Sequence, residues 1–457
     1  MKIDMDKRTF VYLVSFFVLI AIFGVSIYFS SRGNDDSLNK VLEGTVVFSG
    51  DNVVIIADKN GNEYTVNVDM EVAKGDSILL EYTGVLDLSR EVQDIVVVDY
   101  NTSGSSSGIP DEYQDNGIFS DYYDLAYEKL QELSLEEKIG QLLLVRYPDD
   151  NQKELLEEYG FAGYVFYEKD FKYKTKEEVQ DMMSGLQEVS DIPLLTAVDE
   201  EGGKVVRVSS NPALRDSAFL SPSELYALGG FDKISEDTKE KSKLLKSLGI
   251  NVNLAPVVDV STDEDDYMYE RTLQEDTELV SQYAKTVIEA SKGTGVSYTL
   301  KHFPGYGSNA DTHLGTSTDD RSLEDIIVND LPPFEAGIDV GAEAVLVSHN
   351  IVSSIDTANP ASLSQNVHTL LRDDLGFTGV IITDDLAMEA TSGIADVAVF
   401  AVKAGNNLII TTDYEESFNS IKNAVENGEL TTQEIDELVF KVLAWKYYKG
   451  LMFQNLK

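Results

Sequence analysis

The 457-residue chain contains no cysteine. Disulfides, thiolate metal sites, a cysteine nucleophile and a lipidated cysteine are thereby excluded. Basic residues are scarce beside acidic ones. The 36 Lys and Arg face 80 Asp and Glu, for a formal net charge of −44. Phosphate backbones are bound by clusters of Lys and Arg, so this balance argues against nucleic acid as a partner. A surface this acidic also keeps the chain soluble and is repelled by anionic lipid head groups and anionic wall polymers. No segment matches the phosphate-cradling G-x-x-x-x-G-K-[ST] pattern, no histidines have zinc-type spacing, and no fixed-period repeat of the solenoid kind is present.

One long uncharged run stands out at the N-terminus. Phe10 to Ser30 spans 21 residues, about the length that crosses a bilayer. Lys2, Lys7 and Arg8 precede it, which favours a cytoplasmic tip and an exported remainder. The run is long for the apolar region of a signal peptide and ends Ile27-Tyr28-Phe29-Ser30 without a small-x-small cleavage site. Residues 1–33 are therefore expected to form a cytoplasmic tip and single-pass transmembrane anchor with the catalytic part outside the cell membrane. Secretion after cleavage is the alternative.

Beyond the anchor, residues 34–100 carry five short β-rich runs: Gly44–Phe48, Asn52–Ala57, Glu63–Val68, Asp76–Tyr82 and Gln93–Val98. Lys59-Asn60-Gly61-Asn62 reads as a hairpin turn between two of them. A small all-β barrel is expected, an OB-like barrel being one candidate. It lacks a basic or aromatic stripe and reads as a spacer or as a module for an unknown partner. Residues 101–117 open with a Ser/Gly-rich stretch and read as a flexible linker.

Residues 118–457 alternate strand-like runs with helical patterns. The strand candidates are Gly163–Tyr167, Leu194–Asp199, Val252–Val258, Ser297–His302, Ala344–His349, Gly379–Asp384 and Asn407–Thr411. Thr277–Ala290 and Leu331–Val340 are helical examples between them. This alternation predicts an α/β fold with a parallel sheet, closed as a TIM-like (β/α) barrel or open and doubly wound. Asp199, Asp259, Lys301, His302, His349 and Asp384 all fall at or just beyond strand ends. Six polar strand ends converge at one mouth in a barrel, whereas an open sheet concentrates its ligand at one switch point, so the barrel is favoured.

Three clusters carry chemistry. Lys301-His302-Phe303-Pro304-Gly305-Tyr306-Gly307 is followed by Asp311-Thr312-His313, which places two of the four histidines within thirteen residues. Asp311 and His313 are two apart. In an extended segment they face one side, where the carboxylate could orient and charge the ring. Val380 to Thr383 reads as a buried strand ending in Asp384-Asp385. An acid there serves as a nucleophile or metal ligand, or caps the following helix, and two adjacent acids could divide those jobs. In Asp199-Glu200-Glu201-Gly202-Gly203-Lys204-Val205-Val206-Arg207, Asp199 could accept from sugar hydroxyls and Arg207 could donate to them. Arg271 by itself reads as a surface arginine. An aspartate nucleophile with a separate proton donor suits retaining glycoside hydrolysis, and an imidazole can give and take protons near neutrality.

From about Leu135 onward the chain resembles glycoside hydrolase family 3, in particular its short single-domain β-N-acetylglucosaminidases (β-hexosaminidases). The motifs run in family order. They are Glu137-Lys138-Ile139-Gly140-Gln141, the D-x-E-G-G-x-V-x-R block from Asp199 to Arg207, Asn253 to Val260, the K-H-F-P-G-x-G block from Lys301, and T-D-D-L-x-M from Thr383 to Met388. The resemblance implies Asp384 as nucleophile and His313 with Asp311 as the acid/base dyad. It implies Asp199, Arg207, Arg271, Lys301 and His302 as sugar-binding residues, a GlcNAc-containing glycan as substrate, and no metal or organic cofactor. Tyr306 stands where the family usually has a second histidine, Lys204 replaces an arginine, and Thr272-Leu273-Gln274 replaces Ser-Phe-Gly. The expected activity is hydrolysis of terminal β-linked GlcNAc from cell-wall or chitin-like oligosaccharides. The alternatives are phosphorolysis, with phosphate as acceptor, and a catalytically weak glycan-binding or scaffold protein.

Overall fold

The computed structural model describes residues 40–50, 53–58, 62–66, 72, 77–86, 94–103, 109–110, 113, 115–307 and 315–453. The uncharged run Phe10–Ser30 and the Asp311/His313 pair lie outside them. Among the described residues no helix is long and apolar enough to cross a membrane. The chain divides into two compact units, Met1–Pro110 and Asp111–Lys457.

In the first unit five strands form an antiparallel sheet: β1 (Lys40–Gly50), β2 (Val53–Ala57), β3 (Glu63–Val66), β4 (Ser77–Val85) and β5 (Asp94–Ser103), in the order β3-β2-β1-β4-β5. The last strand thus continues three residues past position 100. Ala57 pairs with Glu63, and the Asp58 N–H bonds the Asn62 carbonyl at 2.8 Å, so β2 and β3 are antiparallel neighbours, while 59–61 of the expected turn lie outside the described residues. Alternation puts one face inside. Leu42, Val46, Val54, Ile56, Tyr64, Val66, Ile78, Leu80 and Tyr82 are all buried in one cluster. Among the described residues no ladder joins β3 to β5, so the sheet they define is open.

The second unit contains the strands β6 (Leu143–Arg146), β7 (Gly163–Phe166), β8 (Leu195–Val198), β9 (Val252–Asn253), β10 (Ser297–Phe303), β11 (Thr318–Asp319), β12 (Ala344–Val347), β13 (Ile351–Val352), β14 (Val380–Thr383) and β15 (Ile409–Thr411). Eight of them form one parallel sheet in the order β14-β12-β10-β9-β8-β7-β6-β15. Its two ends meet where Ile382 bridges Leu408, which nearly closes the barrel. β11 and β13 pair separately. Seven of the eight barrel strands match the runs read from the sequence. β6 is the addition.

The barrel strands are almost wholly buried and mostly apolar, as expected for parallel strands covered on both faces. The surrounding helices begin at legible signals. Ser134, Thr175, Ser221 and Thr431 each cap a helix and are answered by Glu137, Glu178, Glu224 and Glu434, three residues on, in reciprocal capping boxes. Helices Thr277–Ser291 and Leu331–Asp339 fall within a residue of their expected ends.

Candidate active site

At the C-terminal mouth of the barrel lies a cavity of about 640 Å³. Asp199, Arg207, Arg271, Lys301, His302 and Asp384 all line it. The structure thus brings together every sequence-predicted site residue that lies among those described. Asp311 and His313 fall in the undescribed segment that follows Gly307.

The turn after β8 builds the first part of the wall. Gly202 adopts φ +107°, and a Cβ there would stand 2.1 Å from the Leu220 carbonyl oxygen, so only glycine fits. The acids before it divide their labour. Glu200 is buried, and its carboxylate accepts the N–H groups of Arg207, Val208 and Ser209 at 2.8, 2.7 and 3.2 Å. It therefore holds the returning chain that presents Arg207. Asp199 and Glu201, two residues apart, both face the cavity.

A chain of charges then runs along the ends of β8, β9 and β10. Lys301 Nζ lies 2.7 Å from both Asp199 Oδ1 and Glu201 Oε1. Glu201 also receives Arg271 through Nε at 3.0 Å and a terminal nitrogen at 2.7 Å, a two-pronged pair. That second nitrogen is 3.4 Å from His302 Nε2, and His302 Nδ1 is 2.8 Å from Asp259 Oδ2. Asp259 further accepts the Tyr306 N–H at 2.8 Å. A carboxylate accepts, so Nδ1 donates to Asp259, and Nε2 faces Arg271 and the cavity. Burial works against the Glu201 charge, but Arg271 and Lys301 outweigh it and hold the carboxyl well below the usual range. Burial likewise opposes the Lys301 charge, and Asp199 with Glu201 raises its pKa in spite of that.

Asp384 stands at the end of β14, across the ring of strands from β8. Its backbone N–H bonds the Val347 carbonyl, and its Oδ1 accepts the Asp385 N–H at 2.9 Å. Burial pushes its carboxyl upward. The fields of His349 and His302, that N–H bond and Lys301 overcome the push, so the group is held ionised. An ionised carboxylate on a cavity wall is what a nucleophile requires. Asp385 behaves differently: burial, with the adjacent Asp384 charge, raises its pKa to about 6. It caps no helix, because the next one begins only at Val397. Its Oδ1 instead accepts the Ala387 N–H of the turn at 3.0 Å, and its side chain lines the cavity. His349 is wholly buried: Ser362 Oγ lies 2.7 Å from its Nδ1, and its Nε2–H reaches the Asp385 carbonyl at 3.0 Å. It therefore fixes the turn carrying both acids.

Arg271, which taken alone reads as a surface arginine, lines the cavity as the family resemblance implied. It is pinned in the wall by Glu201, with side-chain exposure of only 14%. Sequence reasoning left Glu201 out of the site, although its two-residue spacing from Asp199 was a usable signal. Arg146 and Tyr167, which also line the cavity, were missed as well. Among the described residues no group of three His, Asp or Glu is arranged to hold a metal ion.

Within this barrel mouth, a carboxylate held ionised opposite a clamp of paired acids and bases marks a glycoside hydrolase. The chain belongs to glycosyl hydrolase family 3, whose N-terminal domain profile matches residues 134–445. A β-hexosaminidase of Xylella fastidiosa (strain M23) is 31% identical over 300 residues, which cover 64% of this chain and 88% of that protein. A family 3 β-N-acetylglucosaminidase from Paenibacillus sp. str. FPU-7 superposes with a TM-score of 0.65 at 30% identity, over 70% of this chain and 63% of that one. The β-N-acetylhexosaminidase of Beutenbergia cavernae DSM 12333 gives 0.63 at 27% identity, over 70% of this chain and 99% of that one.

Proposed function

We propose that the protein is a retaining exo-β-N-acetylglucosaminidase acting on cell-wall or chitin-like oligosaccharides. The observation that carries this reading is Asp384, held ionised on the cavity wall across from the Asp199–Lys301–Glu201–Arg271–His302 network. The names borne by the relatives supply the acetamido sugar.

In this reading the terminal sugar enters with its hydroxyls against the network. Lys301, Arg207 and Arg271 donate, Asp199 accepts, and His302 Nε2 faces a hydroxyl. Asp384 attacks the anomeric carbon and forms a glycosyl ester. The bond to the aglycone oxygen breaks as His313, charged and oriented by Asp311, gives that oxygen a proton. Water then attacks the ester, returns a proton to His313 and frees Asp384. Neither the clamp nor Asp384 need change protonation during the cycle. Residues 1–33 anchor the chain in the cell membrane with the barrel outside, and residues 34–100 act as a spacer or as the seat of a partner.

Release of p-nitrophenol from the β-N-acetylglucosaminide and the β-glucoside tests the activity. Turnover confined to the acetamido sugar and lost in both Asp384→Asn and His313→Ala supports the reading. Full turnover by Asp384→Asn would remove it. Protease treatment of intact cells tests the topology, since digestion of the barrel is expected only if it lies outside.

A further inference from the structure

Arg146 ends β6 and lines the cavity. Around the ring of strands β6 lies opposite β10, which carries Lys301 and His302. Among the described residues the Arg146 guanidinium makes no hydrogen bond or contact ion pair, although its backbone pairs with Val165 of β7. Its guanidinium instead lies over the ring of Tyr167, 4.3 Å from the centroid. Arg207 approaches the same ring at 5.3 Å, and its Nε is buried without a hydrogen-bond partner. One tyrosine is thus flanked by two guanidinium groups: Arg207, whose terminal nitrogen lies 3.7 Å from Asp199 Oδ2 of the paired network, and Arg146, which has no contact ion pair.

Asp385, Asp170 and Asp149 lie within reach of the Arg146 charge but none is in contact with it, so the half-buried guanidinium gives up solvation without a direct pair. This omission stands out in a chain with 80 acids and a net charge of −44. The neighbouring cavity carboxyl, Asp385, is the one that burial makes easier to protonate, which lessens its competition for the arginine. A planar guanidinium resting on an aromatic face presents its remaining donors as a fork that matches a carboxylate.

The geometry points to Arg146 as a specificity residue that binds a carboxylate on the sugar next to the cleaved bond, so that acidic glycans are preferred over neutral chitin-like ones. This rests on the reading of the site as an exo-β-N-acetylglucosaminidase. The terminal sugar fills the network on β8–β10, and the rest of the glycan extends to the arc formed by β15, β6 and β7. The overall acidity of the chain repels anionic polymers, and Arg146 supplies a local counter-charge where one is needed. A lactyl ether and a uronic acid both present the required carboxylate.

The test compares the full-length protein with Arg146→Gln and Arg146→Lys on three disaccharides. These are N-acetylglucosaminyl-N-acetylmuramic acid, N-acetylglucosamine β-linked to glucuronic acid, and neutral N,N′-diacetylchitobiose. The readout is the ratio of kcat/KM for each acidic disaccharide over the neutral one. Arg146→Gln is expected to lower that ratio roughly 10- to 100-fold, the range for losing a charged hydrogen bond. Arg146→Lys should restore part of it. The methyl ester of the lactyl acid should behave as neutral in the wild type, and the two acidic arms show which carboxylate fits. A ratio unmoved by Arg146→Gln, or equal losses on acidic and neutral sugars, overturns the proposal. If the wild type releases no N-acetylglucosamine from any substrate, the parent reading fails on its own. Calorimetric affinities for the same three sugars then decide the role of Arg146 by the same ratio.

Discussion

The two arcs of the barrel mouth differ in how their charges are spent. On the β8–β10 arc each carboxylate and cation answers another, from Asp199 through Lys301, Glu201 and Arg271 to His302 and Asp259. On the arc from β14 through β15 to β6 and β7, Asp385 holds its proton up to about pH 6, and Arg146 rests on an aromatic ring without a contact ion pair. A network closed on itself is rigid before substrate arrives and suits a group that never varies, here the terminal sugar. An arc with unspent donors suits the part of the substrate that does vary. Asp384 sits where the two arcs meet, ionised against burial by His349 and, from the first arc, by His302 and Lys301.

The sharpest break in this contrast is at Asp384 itself. Asp384→Asn should lower kcat by on the order of 10⁴-fold or more while leaving thermal unfolding nearly unchanged, because the amide keeps the shape but cannot form the ester. Steady-state kinetics beside a thermal melt distinguish this from misfolding.

The next effect is on stability and falls on the paired arc. Glu201→Gln strands Lys301 and Arg271 in the wall, at a cost of about 3–5 kcal/mol. The folded-state pKa of Glu201 is depressed below its unfolded value of about 4.3. Its contribution is therefore fully present above that value and is lost as pH falls through the folded pKa. Denaturant titrations should show the gap between wild type and Glu201→Gln widest near neutrality and narrowing below about pH 4.

Asp385 should show the opposite sign and a smaller size. Its pKa is raised from 3.8 to about 6, so the folded state holds a proton that the unfolded chain has released. Wild type should lose stability relative to Asp385→Asn as pH rises from about 4 through about 6, by at most about 3 kcal/mol. A flat difference over that range would place Asp385 with the paired arc and erase the contrast. The smallest effect concerns the helix ends. Replacing the cap at Thr431 by alanine should cost about 1 kcal/mol and leave kcat untouched, since the capping box with Glu434 lies outside the mouth.

How much of this was legible beforehand follows the physics of each segment. The seven recognised barrel strands are apolar runs set off by glycine, proline or helical patterns. β6 was not, because Leu142 to Val145 follows the helix Leu135–Gly140 with only Gln141 between them. A four-residue apolar run in that setting cannot be told from more helix, and Arg146 was lost with it. The acids at the strand ends were readable as a mouth, but the run Asp199-Glu200-Glu201 does not reveal that the middle acid turns inward to hold Arg207, Val208 and Ser209. Arg271 was placed by resemblance alone. It lies in the segment beyond β9, far from any periodic pattern, and its partner Glu201 is 70 residues away. Asp259 lies past a two-residue strand and reaches the site because Val257 bridges Lys301.

The central claim is that Asp384 is the group that becomes covalently bound to the sugar. The most direct measurement incubates the protein with a slow fluorinated N-acetylglucosaminyl donor, digests it and maps the adduct by mass spectrometry. The account predicts one glycosylated peptide, modified at Asp384 and absent from Asp384→Asn. An adduct on Asp385, or turnover of the donor with no adduct at any stage, would contradict it.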